Sequence, residues 1–433
     1  MTETPRPRRP WLIDLTPFRA SPAYFRFWVS GVASGVGTQL TAVAIGIQIY
    51  ELSGSTAAVA LVGALALAPM IVMGFIGGTI VDAFDRRKVL IVASSISFIA
   101  PVGIAALAWM QVTELWPYYA FTTLSATVGS LVGAARFAIH PRLVDRSLLP
   151  AVAALSGVSA GAQAAFGPAL AGILVATVGF AWTYTVDVAL FIIGFWGIVS
   201  LPAIVPAKAV RVGWTALRDG LGFLRRAANL QTSIALQIAV FTFGRPYALL
   251  PAVAALTVGG GAVSVGILTA SAAVGVILSG LLSGRLGGVR RQGRAIALAT
   301  LGFAVVTAGF GVLLLVTPSL TGASQTEVNL PALVAFVVAL LLAGAADNVA
   351  GIFRTTMMQS ATPDEMRGRL QGLFTLVLTA GPRLGDVYAG FVAAATMLWL
   401  PPLLGGGIIL AVTVLLYATR ASFRVYDGRN PVP

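Results

Sequence analysis

Cysteine is missing from this 433-residue chain, and His140 is its only histidine. The absence of cysteine excludes disulfides and thiolate catalysis, and the shortage of both residue types excludes Cys/His metal sites. A metal site built from carboxylates alone is not expected, and no cofactor is predicted. The sequence also lacks a nucleophile elbow, so it offers no clustered set of residues for an enzyme.

Charge is also scarce, at 10% of residues, while 58% are hydrophobic. A soluble protein of this length needs far more charge to cover its surface. A helix of roughly 20 apolar residues crosses the hydrocarbon core of a bilayer. The sequence contains twelve such runs, near 25–50, 57–81, 89–110, 117–138, 151–177, 180–201, 230–257, 262–284, 294–317, 331–353, 368–392 and 397–419. Their length and lack of alternation favour helices over strands.

The basic residues fall in alternate gaps between these runs. The remaining gaps hold only Glu51, Glu114 and Glu327, and the two bases placed inside runs are Arg245 and Arg383. This positive-inside pattern predicts a protein of the cytoplasmic (inner) membrane with both termini in the cytoplasm. The net charge of +13 is spread over seven gaps, so it indicates contact with anionic membrane lipid rather than nucleic acid.

A long polar segment divides the twelve runs into six and six. The predicted parts are a tail (1–23), a first bundle (24–201), a linker with an amphipathic helix (202–229), a second bundle (230–419) and a tail (420–433). An internal duplication is expected, because seven residues recur 218 positions later. The first copies are Gly133, Arg136, Leu155, Gly167, Ala171, Gly172 and Ala176, and the second are Gly351, Arg354, Leu373, Gly385, Ala389, Gly390 and Ala394.

The gap after the second run carries Gly78, Asp82 and a basic group that begins at Arg86. It resembles the signature loop of the major facilitator superfamily, with Asp85 in place of the usual second glycine. The resemblance implies a cytoplasmic latch in which Asp82 pairs with basic residues. The latch candidates are Gly78, Asp82, Arg86, Arg87, Arg142 and Arg146. The alternative is an ordinary charged loop.

The fifth run contains Gly167, Pro168 and Gly172. This is similar to a Gly-Pro motif of the drug:proton antiporter branch, and it implies export. Proline kinks the helix, and the glycines permit close crossing of helices. The basic residue that this branch carries midway along the fourth run is missing here. Gly129 lies at about that depth, which departs from the standard proton relay of the branch.

A further resemblance extends over nearly the whole chain, to the bacterial enterobactin (catecholate siderophore) exporter group. The matching segments, in order, are 14–19, 48–56, 85–88, 201–203, 223–224, 250–252, 362–369 and 385–386. The resemblance implies an exporter of a siderophore or a similar amphipathic compound.

Ionisable residues within the bilayer need a functional or structural reason, because each is costly to insert. The proton-coupling candidates are Asp347, Asp386 and Asp187. Asp347 comes first, since it could alternate between a protonated state and a pair with a base. Arg383 and Asp386 share a helical face, so they predict either an internal ion pair or a coupling role. Asp187 could instead be a wetted structural acid.

Arg245 lies among aromatic residues and just before Pro246, which is expected to break the seventh helix. A cation flanked by aromatic rings suits an anionic aromatic ligand, although Arg245 could instead bind carbonyl groups freed by the proline. The predicted cavity residues are Arg245, Arg383, Gln39, Gln163, Asn348, Phe241, Phe243 and Tyr247. Glutamines and asparagines could also bond between helices without touching substrate.

The sequence therefore predicts an all-α membrane protein of major facilitator type, with twelve transmembrane helices in two pseudo-symmetric six-helix bundles. Its expected function is secondary active export, by proton antiport and alternating access, of a siderophore-like small molecule. The alternative is a broad multidrug efflux transporter. Expected partners are the substrate, protons and lipid, and the expected oligomeric state is a monomer.

Overall fold

The computed structural model describes residues 14–202, 221–284, 289–320 and 327–431. Within these ranges the chain is helical, and its β-structure is limited to an isolated bridge between Arg291 and Asp427. The predicted all-α class is confirmed. Most of the predicted 202–229 linker lies outside the described residues, so the boundaries of the two bundles stay a prediction.

Twelve long helical segments occur in the described ranges. They are α1 (Pro22–Ser53), α2 (Thr56–Ala83), α3 (Arg86–Trp109), α4 (Leu115–Ile139), α5 (149–178), α6 (180–199), α7 (Ala228–Val258, interrupted), α8 (Gly261–Leu281), α9 (Gln292–Val316), α10 (Leu330–Ala361), α11 (Asp364–Ala395) and α12 (Leu400–Thr419).

Spanning length and apolarity can be checked helix by helix. Nine helices of the described ranges are long and apolar enough to cross a membrane, and one of these is the continuous segment Ala151–Val199 that contains both α5 and α6. The helices α4 and α11 are also of spanning length, at 25 and 32 residues. The hydrophobic runs of the sequence therefore correspond to the long helices of the structure.

Turns and caps end the helices where the sequence changes character. Gly54 takes a left-handed conformation (φ 64°) after α1, and the Ser55 hydroxyl then accepts a hydrogen bond from the Ala58 amide to begin α2. Between α5 and α6, Gly179 has φ 80°, a conformation that favours glycine. In α7 the first part ends at Phe243, and the chain re-forms a helix only at Leu250. The predicted break at Pro246 is therefore confirmed.

The turn at Gly179 reverses the chain. The start of α1 contacts both sides of it, because the Trp28 indole donates to the Leu155 carbonyl (3.0 Å) and the Ser30 hydroxyl donates to the Gly194 carbonyl. The beginning of α5 and the end of α6 therefore lie at the same end of the molecule. We name this the basic end, because the bases of the first half cluster there, and we name the other the outer end.

Glycines that recur after 218 residues occupy equivalent contacts. Gly167 of α5 packs against Gln39 of α1, as Gly385 of α11 packs against the Phe241 backbone of α7. The same close approach recurs between the halves. Gly172 packs on Ala262 and Gly266 of α8, and Gly390 packs on Thr56 and Ala60 of α2. The Gly167–Gly172 motif therefore serves close helix crossing, as predicted, and its second copy does the same.

The two halves contact each other towards the outer end. The Thr56 hydroxyl at the start of α2 donates to the Gly390 carbonyl near the end of α11 (2.9 Å). Gly46 of α1 lies beside Pro251 of α7. These contacts and the two glycine crossings join the halves along the outer part of the helices.

One boundary differs from the sequence prediction in a way that matters for function. The tenth run was predicted to end at 353, whereas α10 continues to Ala361. Arg354 therefore lies inside the helix and is 1% exposed. Its predicted place in the basic gap after the tenth run was wrong, because the helix continues beyond it and its guanidinium is bound by Gln237 and Thr300 of other helices.

Candidate substrate and ion site

A cavity of about 430 Å³ lies between the two halves. Its charged lining residues all come from the second half: Arg245, Asp347, Arg383 and Asp386. The first half contributes mainly small and apolar side chains, together with Gln39. The four ionisable residues predicted to lie within α7, α10 and α11 are thus brought to one central space, whereas Asp187 is not among the residues that line it.

Asp347 is held by two arginines. Its Oδ2 lies 3.4 Å from Nη2 of Arg245, and its Oδ1 lies 3.5 Å from Nη1 of Arg354. The Asp347 carboxylate therefore links Arg245 of α7 with Arg354, which lies two turns after Asp347 in α10. With a base on each oxygen, Asp347 is in the paired state, which is one of the two states predicted for it.

Arg354 is the buried anchor of this network. Its Nη1 also donates to the Gln237 amide oxygen on α7, and its Nη2 donates to the Thr300 hydroxyl on α9 (2.9 Å). A buried guanidinium needs such partners, because leaving its N–H groups unpaired is costly. Arg354 thus connects α7, α9 and α10 behind the cavity wall.

Arg245 makes the aromatic contacts that were predicted from its sequence neighbours, with one exception. Its guanidinium carbon lies 4.3 Å from the centre of the Phe241 ring and 5.7 Å from that of Tyr247. Phe243 instead packs edge-on against Tyr388, with ring centres 5.1 Å apart. Phe243 faces α11 because the helix carries residues two apart to different sides. Neither Phe241 nor Phe243 is among the residues that line the central cavity, so their prediction as cavity residues was wrong.

Arg383 and Asp386 form the predicted pair on one face of α11. Their side chains approach to 3.8 Å, and both line the cavity next to Gly63 of α2. The arginine is 35% exposed, more than the 27% of Arg245. This pair is therefore looser and wetter than the network around Asp347.

Asp187 lies apart from these charges. It is 4% exposed, and it accepts a 2.5 Å hydrogen bond from the Thr41 hydroxyl of α1. It also packs against Gly37, one turn before Thr41. The alternative of a wetted acid is excluded by this burial, and Asp187 serves at least to join α6 to α1.

The predicted amides divide into two groups. Gln39 lines the central cavity and also a second cavity in the first half, where Gln163 lies with its amide donating to the Ser159 hydroxyl (2.7 Å). Asn348 instead donates to the Val276 carbonyl (3.2 Å) and the Ser279 hydroxyl (3.0 Å). Asn348 therefore joins α10 to α8, and it is not among the residues that line the central cavity.

The predicted latch is only partly described. The Arg86 guanidinium donates to the Ala138 carbonyl (3.1 Å), and that of Arg87 donates to the Val199 carbonyl (2.8 Å). Both bases thus contact the C-terminal ends of helices in their own half, where a cation is favourable. Arg142 is exposed. The side chains of Asp82 and Arg146, and the surroundings of Gly78, lie outside the described residues.

Two functional positions were missed in the sequence. Arg354 follows Asp347 by seven residues, a spacing that returns to the same helical face, so the pairing was readable once α10 was extended. Asp85, first noted only as a departure from the loop motif, accepts a hydrogen bond from the Arg87 amide (2.9 Å) and caps α3.

Sequence comparison shows the family to which this chain belongs. Residues 13–430 match the family described as transmembrane secretion effectors. The chain belongs to this family. Enterobactin exporters of Shigella boydii and Escherichia coli are 28% identical to it over 425 residues, covering 98% of each chain. The resemblance to the enterobactin exporter group is confirmed.

Solved structures show the same fold. A nucleoside transporter superposes with a TM-score of 0.68 at 15% identity, covering 92% of this chain and all of that one. The inward-open xylose transporter of E. coli gives 0.62 at 13% identity, covering 94% and 97%. The solved structures show the major facilitator fold. The family match and the exporters similar over the whole chain show a membrane transporter and not an enzyme. Its apolar helices and relatives place it in the inner membrane of a bacterium.

Proposed function

We propose that this protein exports anionic aromatic molecules of siderophore type by proton antiport. The observation that supports this most directly is Arg245, a cation that lies over the Phe241 ring, beside Tyr247, in a cavity between the two halves. A phenolate or carboxylate attached to an aromatic ring complements such a surface in both charge and shape. The enterobactin exporters, similar over their whole length, are consistent with this ligand class.

Transport proceeds by alternating access in this proposal. Among the described contacts between halves, the Thr56–Gly390 hydrogen bond and the Gly172 crossing lie in the outer part, and Gly161 approaches Ile277 nearer the basic end. The second cavity extends from Gln39 towards Trp28 and His140 at the basic end. With both termini in the cytoplasm, this arrangement corresponds to a conformation that receives substrate from the cytoplasm.

The acid that we propose as the proton carrier is Asp386. Asp347 has an arginine at each oxygen, and releasing a charge from such a buried pair is costly. Asp187 is outside the central cavity. Asp386 lines the cavity and has one base, Arg383, at 3.8 Å. Proton uptake by Asp386 breaks its pair with Arg383, and this change of pairing is the coupling step of the proposal.

The substrate class is tested by export from cells. A host lacking its own catecholate exporter is given this chain, and a secreted catecholate siderophore is measured in the medium. We expect restored secretion, and loss of it in Arg245→Gln, with Arg291→Gln as a control at an exposed position. If secretion stays absent while resistance to cationic dyes rises, the protein is a multidrug transporter instead.

Proton coupling is tested in inverted vesicles. Asp386→Asn is expected to lose uptake driven by a pH gradient while retaining exchange of labelled for unlabelled substrate, because exchange needs binding but no proton. Glu114→Gln, at an exposed loop acid, is the matched control. Unchanged gradient-driven uptake in Asp386→Asn would contradict the role of Asp386 as proton carrier. Loss of gradient-driven uptake alone in Asp347→Asn or Asp187→Asn would assign the proton to that residue instead.

A further inference from the structure

A second cavity, of about 590 Å³, lies within the first half. It adjoins the central cavity at Gln39, which lines both. Its polar lining consists largely of hydroxyl groups: Ser34, Thr38, Ser94, Ser97, Ser125, Ser156 and Ser159. The described lining residues include no carboxylate, so the cavity differs in charge from the central one.

Arg136 of α4 supplies a positive charge to this space. Its Nη2 lies 3.3 Å from the Ser30 hydroxyl and 3.4 Å from that of Ser34, both of which are long hydrogen bonds to neutral groups. Its guanidinium carbon lies 5.2 Å from the centre of the Phe27 ring. No carboxylate of the described residues lies within 4 Å of it.

The neighbouring histidine adds no charge to the cavity. His140 follows α4 and lines the same cavity, and burial, together with the charge of Arg136, lowers the pKa of His140 to about 4. The imidazole is therefore neutral at pH 7. Arg136 is then the uncompensated charge of a hydroxyl-lined, partly aromatic space, which is the surface that an anion with a ring attached requires.

We infer that Arg136 forms a second binding site for an anionic aromatic ligand, at the basic end of the path to Arg245. Trp28, Phe191 and Phe195 line the cavity with aromatic rings, and Ser34 lines it with a hydroxyl group that can turn towards the anion. Gly31 leaves the guanidinium room, since a methyl carbon there would lie 3.2 Å from Nη1. The site depends on the proposed function only for the choice of ligand class.

The test is direct binding of labelled salicylate to purified protein in nanodiscs of uncharged lipid. The Arg245→Gln background removes the central site and isolates the second. In that background we expect saturable binding that weakens about tenfold or more on adding Arg136→Gln, and much less on adding Arg136→Lys, which keeps the charge. Catechol, which is neutral, should compete poorly.

Equal salicylate binding with and without Arg136→Gln overturns the inference, as does equal competition by catechol. Loss of binding when anionic phosphatidylglycerol is added also overturns it, because the site then belongs to a lipid headgroup. Thermal midpoints of all variants identify misfolding. If Arg136→Gln does not fold, the deciding result is loss of salicylate binding in Gly129→Asp, which pairs with Arg136, but not in Gly129→Asn. Salicylate binding at Arg136 without siderophore secretion contradicts only the proposed function.

Discussion

Two arginines in corresponding places have opposite surroundings in the two halves. Arg136 ends α4 and Arg354 lies in α10, 218 residues later. Seven residues before each lies Gly129 in the first half and Asp347 in the second. Arg354 is 1% exposed and bound by Asp347, Gln237 and Thr300. Arg136 faces a cavity, and its hydrogen-bond partners among the described residues are two serine hydroxyls.

The difference shows that corresponding arginines in a duplicated fold can have different roles, one structural and one in binding. In the second half Asp347 forms an ion pair with the arginine, so this arginine stabilises the structure and, through Asp347, helps to hold Arg245. In the first half a glycine leaves the same position empty, so the arginine keeps its charge for another partner. One residue in each half thus decides whether a buried cation is structural or available.

The largest effect is expected from removing the structural arginine. Arg354→Gln leaves Asp347 with one base and breaks contacts to α7 and α9, so it should lower the free energy of unfolding by about 3–5 kcal/mol. Arg136→Gln should change it by less than about 1 kcal/mol. Thermal unfolding in detergent measures both, and equal losses would mean that Arg136 is structural as well.

Next in size are the glycine crossings that join the halves. A methyl carbon at Gly172 would lie 2.7 Å from the Ala262 carbonyl oxygen, and one at Gly390 would lie 2.6 Å from that of Thr56. Both contacts are with backbone, which cannot move aside easily. Gly172→Ala and Gly390→Ala should each cost about 1–3 kcal/mol.

Gly161→Ala is the matched control for these crossings, since its nearest neighbour, Ile277, would be 3.5 Å away. Comparing Gly172→Ala with Gly390→Ala also tests whether the two halves are equivalent at these crossings. Because the chain has no cysteine, cysteines introduced at Thr56 and Ala389 can report closure of the outer end by cross-linking. If one glycine variant loosens the outer end and the other does not, the two crossings are not equivalent.

A smaller effect should follow when the first half is given the acid of the second. A methyl carbon at Gly129 would have no neighbour within 4 Å, so there is space for a side chain. Gly129→Asp should pair with Arg136 and weaken salicylate binding in the Arg245→Gln background about tenfold. Gly129→Asn, of equal size without charge, is the control. Matching losses in both variants would indicate steric blockage rather than charge pairing.

The smallest effect concerns two serine–amide contacts. Ser279 joins α8 to α10 through Asn348, whereas Ser159 bonds Gln163 within one helix. Ser279→Ala should cost about 0.6 kcal/mol, the average for a bond between membrane helices. Ser159→Ala should cost less, and unfolding midpoints compare them. A larger loss for Ser159→Ala would indicate that the polar lining of the second cavity is itself structural.

The helices themselves were largely readable from hydrophobicity, because bilayer thickness sets their length. Predicted and observed bounds agree closely for α1 and α7, and the break at Pro246 was expected from the missing amide of proline. The end of α10 was not readable in this way. The polar residues from Arg354 onward look like a loop in composition, yet the helix continues through Arg354 because Gln237 and Thr300 of neighbouring helices provide its partners.

The sequence predicted which residues belong to the candidate site, but for most of them it did not predict which residues contact each other. Arg245, Arg383, Asp347 and Asp386 stood out because charge is rare inside apolar runs. Only the internal pair Arg383–Asp386 followed from spacing. The contact of Asp347 with Arg245, and of Asp187 with Thr41, joins residues more than a hundred positions apart, and no local pattern specifies such contacts.

By itself, the sequence determined the membrane environment, the number of hydrophobic segments and the family, because each follows from composition or from motifs local in the chain. Tertiary structure alone decided which buried charges are satisfied. Whether an arginine in the bilayer is an anchor or a binding group depends on what lies within about 4 Å of it. For Arg354 these neighbours are a carboxylate of its own helix and two polar residues of other helices. For Arg136 they are two serine hydroxyls at the wall of a cavity.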